Sequence, residues 1–211
     1  MRYHYDPPIF VKKIFNDFYW NTTNNKVLLT FDDGPNPGTT ELILKKLSEV
    51  KIKALFFCVG DNVQKYPALV QQIKDEGHSF GNHTFNHKIL SKISAEEKDF
   101  QISSVNRLFE ESFNIKLNYF RPPHGKFQVT ASVLLKKHNL KNVMWSLFTY
   151  DYKNDISILK FAIEKYLKNN SIIVLHDSNK SKNIIADSIS YIADEVRKRN
   201  CQFGEADECL N

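Results

Sequence analysis

Two histidines four residues apart, His83 and His87, lie in the segment HSFGNHTFNH (78–87). On a helix, that spacing puts both imidazoles on one face about one turn apart, within reach of a single metal ion. A catalytic zinc site commonly takes three protein ligands and keeps a position for water, so the pair calls for a third ligand, preferably a carboxylate. The adjacent pair Asp32-Asp33 supplies it. Neighbouring side chains diverge, so these two carboxylates are expected to do different work, one binding metal and one accepting a proton from water. Two histidines with one carboxylate also suit iron or cobalt, which leaves the metal open on residue type alone. His78, five residues before His83, is read as structural or as a support for the ligands.

Three more groups are chemically suggestive. Arg121 sits in the turn FRPPHG (120–125), where two prolines fix φ and Gly125 permits tight geometry. A guanidinium held in a preset direction can clamp a carboxylate and lower its pKa. Asp151 is a candidate partner for Arg121. His176 ends an expected strand and can face a cleft, and a histidine, whose ordinary pKa lies near neutrality, can donate a proton to a leaving group.

The elements that must position these groups are short apolar strands alternating with helices. Strands are expected over 26–31, 54–59, 117–120, 142–146 and 171–176. Helices are expected over 41–50, 63–76, 94–113, 129–138, 156–168 and 184–198, with Thr39 or Thr40 capping the first. The first 25 residues read as irregular, or as one short helix around 10–18. This is α/β organisation around a mostly parallel sheet. Sites in such folds form at the carboxyl ends of strands. Asp32-Asp33, the segment around His83, the turn 121–125, Asp151 and His176-Asp177 all fall there.

Composition narrows the class. The chain has 211 residues, 42% apolar and 25% charged, which excludes a disordered chain, a collagen-like repeat and a coiled-coil rod. A net charge of +5, not concentrated in a run, is too weak to argue for nucleic acid. The start, MRYHYDPPIF, has no apolar run of the kind a signal peptide carries, and the longest apolar stretches are of strand length. Of three cysteines, Cys58 reads as a small buried hydrophobe. Cys201 and Cys209 are expected as reduced thiols rather than a tail disulfide.

Taken together, these motifs resemble the polysaccharide deacetylase family, the NodB-homology domains of carbohydrate esterase family 4. The resemblance covers roughly 26–203 and rests on five separated motifs in the family's order. Thr30-Phe31-Asp32-Asp33-Gly34-Pro35 matches TFDDGP, which implies Asp32 as general base and Asp33 as metal ligand. His83-Thr84-Phe85-Asn86-His87 matches H-S/T-x-x-H, so His83 and His87 would complete the metal set. Arg121-Pro122-Pro123-His124-Gly125 matches RxPxG, with His124 where the family often carries Tyr. The resemblance implies that Arg121 orients Asp32 and that the His124 backbone amide helps hold an oxyanion. Asp151-Tyr152 stands for the family's Asp-Trp, with Asp151 tethering Arg121. Val174-Leu175-His176-Asp177 resembles the last motif, with Leu175 packing an acetyl methyl pocket and His176 as general acid. Trp145, Tyr152 and Pro123 are placed with Leu175 as substrate-binding residues. Phe148 stands where the family frequently has another Asp, a departure that bears on groove shape.

The implied fold is a distorted, incomplete (β/α)7 barrel. The implied layout is an N-terminal extension over 1–25 packed on the domain, the catalytic domain over 26–203 and a tail over 204–211. The implied activity is metal-dependent removal of N-acetyl groups from an N-acetylglucosamine-containing glycan of peptidoglycan or chitooligosaccharide type. Zn2+ is the expected ion, with Co2+ or another divalent metal as alternatives. An O-acetyl esterase acting on acetylated xylan, a non-catalytic carbohydrate-binding homologue and a basic scaffold protein are the competing readings. A monomer acting on an acetylated sugar oligomer or polymer is expected, without nucleic acid and without a transmembrane segment. The start of the chain reads as cytoplasmic, whereas family members often act on envelope or extracellular glycans.

Overall fold

The apolar run before Asp32 becomes the centre of the sheet. In the computed structural model, which describes residues 4–127 and 131–211, Leu28–Asp32 (β1) is buried along its whole length. It pairs in parallel with Leu55–Cys58 (β2) on one side and Ile172–His176 (β7) on the other. A strand covered on both faces needs a continuous apolar sequence, and both partners have one. Beyond β2 lie Ser79–Asn82 (β3), Tyr119–Phe120 (β4) and Lys141–Asn142 (β5). Beyond β7 lies Leu147–Phe148 (β6). The sheet order is β5-β4-β3-β2-β1-β7-β6, and every strand pairing in it is parallel. The seven strands curl into a distorted, incomplete (β/α)7 barrel.

Helices Ile9–Ile14 (α1), Thr40–Val50 (α2), Gly60–Lys65 (α3), Pro67–Asp75 (α4), Ala95–Phe113 (α5), Ala131–Lys137 (α6), Ile156–Tyr166 (α7), Ile185–Lys198 (α8) and Ala206–Cys209 (α9) fill the connections. Ser94 caps α5 by accepting from the Glu97 N–H at 3.2 Å, which satisfies one of the donors a helix start leaves open. The expected helix over 63–76 is two helices. Pro67 cannot donate to the preceding turn, so it ends α3 and opens α4. The expected start of the helix over 129–138, at Val129 and Thr130, lies outside the described residues.

Strand alternation sorts β1 and β7 into two packing faces. Leu29, Phe31, Ile173 and Leu175 face the main core, and Leu28 and Ile172 join a second core with Phe57, Tyr119, Cys209 and Leu210. The chain after Phe203 thus contributes α9 to the interior, fixed by the Tyr119 hydroxyl donating to Asp207 at 2.7 Å. Irregular backbone before β1 adds isolated bridges to the sheet. Tyr19 bridges to Val143 and Asn21 to Ser171. All three cysteines are free thiols. Among the described residues, no helix is long and apolar enough to cross a membrane.

Candidate active site

Asp32 ends β1, and His176 ends β7 directly beside it in register. Asp33 follows with φ of +78°, a left-handed conformation that is uncommon for a residue with a side chain. Had the strand continued, Asp33 would point away from Asp32. The reversal turns its carboxylate back to the same cleft, so the two acids converge where sequence spacing predicts divergence. His83 Nε2 is 3.6 Å from Asp33 Oδ1 and 4.0 Å from Asp32 Oδ2. Gly34 makes room for this corner, since a Cβ there would fall 2.3 Å from Asp177 Oδ2.

His83 and His87 are not on a helix. They follow β3 in a loop where Thr84 (φ +67°) and His87 (φ +57°) both take left-handed conformations. The loop is shaped from outside. The Asn82 side-chain oxygen accepts from the Thr84 N–H, and buried Gln101 of α5 accepts from the N–H groups of both Phe85 and Asn86 at 3.1 Å. His87 Nε2 thereby comes within 3.2 Å of Asp33 Oδ1.

These three residues fit a divalent cation. Ligand atoms around a tetrahedral zinc, with bonds of about 2.0–2.2 Å, stand roughly 3.3–3.6 Å apart. The two distances to Asp33 Oδ1 are 3.2 and 3.6 Å, and all three ligand atoms lie within 4.8 Å of one another. His83 Nδ1 is 2.7 Å from the Arg121 carbonyl oxygen, so this nitrogen carries the proton and Nε2 presents its lone pair. Burial pushes the Asp33 carboxyl up. The His83 and His87 imidazoles beside it and the charge of His176 outweigh it and hold Asp33 well below the usual carboxylate range. It is therefore an anion at any working pH.

Arg121 is completely buried and lies under the centre of the site. Its Nη1 donates to Asp32 Oδ1 and to the Thr30 hydroxyl, both at 2.7 Å. Its Nε and Nη2 donate to the carbonyls of Val143 (2.9 Å) and Met144 (2.8 Å). The Phe57 ring lies 4.2 Å from the guanidinium carbon. The same contacts explain why the expected strand over 142–146 is broken. Two of its carbonyls turn to the guanidinium, and the sheet resumes only at Leu147. Thr30 was not singled out from sequence, although it lies two residues before Asp32 and so on the same strand face.

Asp151 does not reach Arg121 by any hydrogen bond; it belongs to His176. Its Oδ2 accepts from the His176 backbone N–H and its Oδ1 faces His176 Nδ1, each at 2.7 Å. The Thr149 hydroxyl lies 3.2 Å from Oδ1. Arg121 finds its acceptors in Asp32, Thr30 and the Val143 and Met144 carbonyls, so Asp151 is available for the imidazole. Burial pulls the imidazolium down, but Asp151, with Asp33 and Asp32 farther off, more than reverses this. The His176 pKa is raised to about 9.

Leu175 is also corrected. It is fully buried in the main core with Phe31, its register partner, because odd and even residues of β7 face opposite ways. Val174 shares the face of His176. His78 is structural: its Nδ1 accepts from the Ala54 N–H, its ring lies 5.4 Å from that of Phe56, and burial lowers its pKa to about 4.

A cleft of about 800 Å³ opens over these groups. Asp32, Asp33, His83, His87 and His176 form its floor, with Trp145, Phe148, Tyr150 and Tyr152 along one side and Asn36, Asn62 and Asn179 along another. Pro123 is buried in its turn, and His124 and Gly125 take the place at the cleft expected for it. Gly125 has φ of +63°, and a Cβ there would strike the Trp145 ring at 2.3 Å. The His124 imidazole lies 4.7 Å from that of His87, edge to face.

The family described as Polysaccharide deacetylase matches residues 20–143. The chain is 32% identical over 196 residues to a peptidoglycan-N-acetylglucosamine deacetylase of Bacillus cereus, covering 90% of this chain and 92% of that protein. It is 33% identical over 157 residues to a chitooligosaccharide deacetylase of Azorhizobium caulinodans, covering 72% and 74%. The solved structure of the Bc1960 peptidoglycan N-acetylglucosamine deacetylase superposes with a TM-score of 0.86 at 27% identity, covering 96% of each chain. With the motifs converging on one cleft and relatives of this similarity spanning nearly the whole chain, the protein belongs to the polysaccharide deacetylase family.

Proposed function

We propose that this enzyme hydrolyses N-acetyl groups of an N-acetylglucosamine-containing glycan, of peptidoglycan or chitooligosaccharide type. The observation that carries the reading is the pairing of a fixed carboxylate, Asp32, with a charged imidazole, His176, across the Asp33–His83–His87 cluster. Asp33, His83 and His87 would hold a divalent cation, Zn2+ by the donor set, with Co2+ as a close substitute. Such an ion supplies Lewis acidity, lowering the pKa of water and polarising a carbonyl.

The rest is the work of the chain. Arg121 occupies Asp32 Oδ1 and leaves Oδ2 turned to the cluster, where it takes a proton from the attacking water. The water oxygen bonds to the acetyl carbon, and the His124 backbone amide helps hold the oxyanion that develops. His176 gives its Nε2 proton to the departing nitrogen as the C–N bond breaks, yielding acetate and a free amine. Asp151 keeps the other ring nitrogen engaged and the ring charged. An amide nitrogen leaves only when protonated, and the Asp151 carboxylate beside His176 favours the protonated imidazole. An ester oxygen has less need of it, which favours the N-acetyl reading over an O-acetyl esterase.

The test is acetate release from chitooligosaccharides, muropeptides and acetylated xylan, alongside metal analysis of the purified protein. Release from the first two, dependent on zinc or cobalt, is expected. Protein that holds no divalent metal, and gains no activity from either ion, would sink the proposal. Asp32→Asn should lower kcat by about 10²- to 10⁴-fold, the usual contribution of a positioned base, with metal content retained.

A further inference from the structure

The cleft runs past the proposed catalytic groups to His4 and Pro7. Both precede residue 20, where the match to the family begins. They are not a loose end laid over the surface. Tyr5 between them is buried, and its ring stacks on Tyr166 at 5.2 Å and meets the edge of Tyr150 at 5.4 Å. The Tyr5 carbonyl accepts from the Phe148 N–H at 2.8 Å, so the segment lines the outer edge of β6. The His4 N–H donates to the Tyr150 hydroxyl at 2.9 Å, and that hydroxyl lies 3.2 Å from the His4 carbonyl. Asp6 pairs with Lys12 at 2.5 Å. Pro7 and Pro8 fix φ at the far end.

This strap continues a wall of rings that starts at the proposed acid. Tyr152 lies 5.2 Å from His176 and Phe148 lies 5.6 Å from it. Tyr150 follows, 4.9 Å beyond Phe148, and then the strap. Flat apolar faces with a polar tip suit the C–H faces and hydroxyls of a pyranose. The volume, about 800 Å³, is at the upper end of the ~300–1,000 Å³ of ligand pockets, which is more room than one sugar needs.

We infer that His4 and Pro7, with Tyr150, form a subsite for a neutral sugar unit beyond the immediate neighbour of the one deacetylated, so that the N-terminal segment sets a preference for glycans longer than a dimer. The inference rests on the glycan deacetylase reading above. Because the strap is held on both sides before substrate arrives, little ordering cost opposes binding there.

The experiment is a length series, with kcat and KM measured on chitobiose through chitohexaose for the zinc-loaded wild type, His4→Ala and Pro7→Gly. Tyr5 is kept in both variants, so the buried anchor is intact. For the wild type, kcat/KM is expected to rise from dimer to tetramer. In the variants the tetramer-to-dimer ratio of kcat/KM should fall about three- to tenfold, through KM, as befits one lost contact. A wild-type kcat/KM flat with length, or variants that lose dimer and tetramer in parallel or neither, would overturn the subsite while leaving the deacetylase reading intact. No acetate from any oligomer would overturn that reading, and the subsite with it.

Discussion

Arg121 acts at both of its ends. Its guanidinium fixes Asp32, and its carbonyl fixes the tautomer of His83. A lysine has a single point of charge and no planar fork, so it cannot reproduce four directed contacts. The opposite wall depends in the same way on Asp151, which holds His176 through two hydrogen bonds. General-acid catalysis needs the imidazolium, so activity is lost as pH rises through the His176 pKa. That pKa is raised to about 9. A cation at Asp33 pushes the other way, so the basic limb of the loaded enzyme lies below that value. Asp151→Asn removes the charge that most favours the imidazolium, and the limb should move further toward acid pH. A pH profile of kcat/KM checks this. A basic limb unmoved by the substitution would mean that His176 is not the titrating acid. The same pair bears on stability: because the pKa is raised on folding, its contribution is complete below the ordinary histidine value of about 6.5. It fades as pH climbs through about 9.

At the scale of elements, the ligand loop after β3 takes its shape from α5. Gln101 accepts from two adjacent backbone N–H groups, and no rotation of the loop alone replaces it. Gln101→Ala leaves those partly buried donors without that acceptor, at a cost of roughly 1–3 kcal/mol for the two bonds together. The expected outcome is a lower melting temperature together with weaker zinc binding, read by calorimetry and by metal titration. A variant that melts earlier yet binds zinc as before would show that α5 supports the fold without positioning His87. This dependence was not legible in sequence, where Gln101 is one polar residue on an amphipathic helix. What was legible had a local cause. The runs through β1 and β7 are apolar because both faces are covered, and Ser94 marks the start of α5. β3 escaped because Ser79, Gly81 and Asn82 carry little apolar signal. The site followed the same division: the motif residues and the pairing of Arg121 with Asp32 could be named, but the other partners could not. Asp151 was assigned to Arg121, and Leu175 to the cleft. Both errors concern direction, which depends on strand register and on acceptors distant in sequence.

At the scale of the molecule, the cluster joins two parts of the sheet that are not neighbours. Asp33 follows β1, His83 and His87 follow β3, and β2 lies between them. A cation held by all three therefore ties the top of the barrel across a strand that contributes no ligand. A ligand bound only by the folded chain stabilises it by about 2.7 kcal/mol at a hundred times its Kd. For a domain of this size, each kcal/mol moves the melting temperature by roughly 2–4 °C. Removing the metal should thus lower the melting temperature by about 5–11 °C under such loading, and adding zinc back should restore it. The effect should vanish in Asp33→Ala, whose melting temperature ought to be the same with and without a chelator. Scanning calorimetry of both proteins makes the comparison without any substrate. If the wild type and Asp33→Ala lost equal stability to chelation, the ion would be binding elsewhere. If neither responded, the cluster would not bind metal tightly enough to serve as the centre of the site.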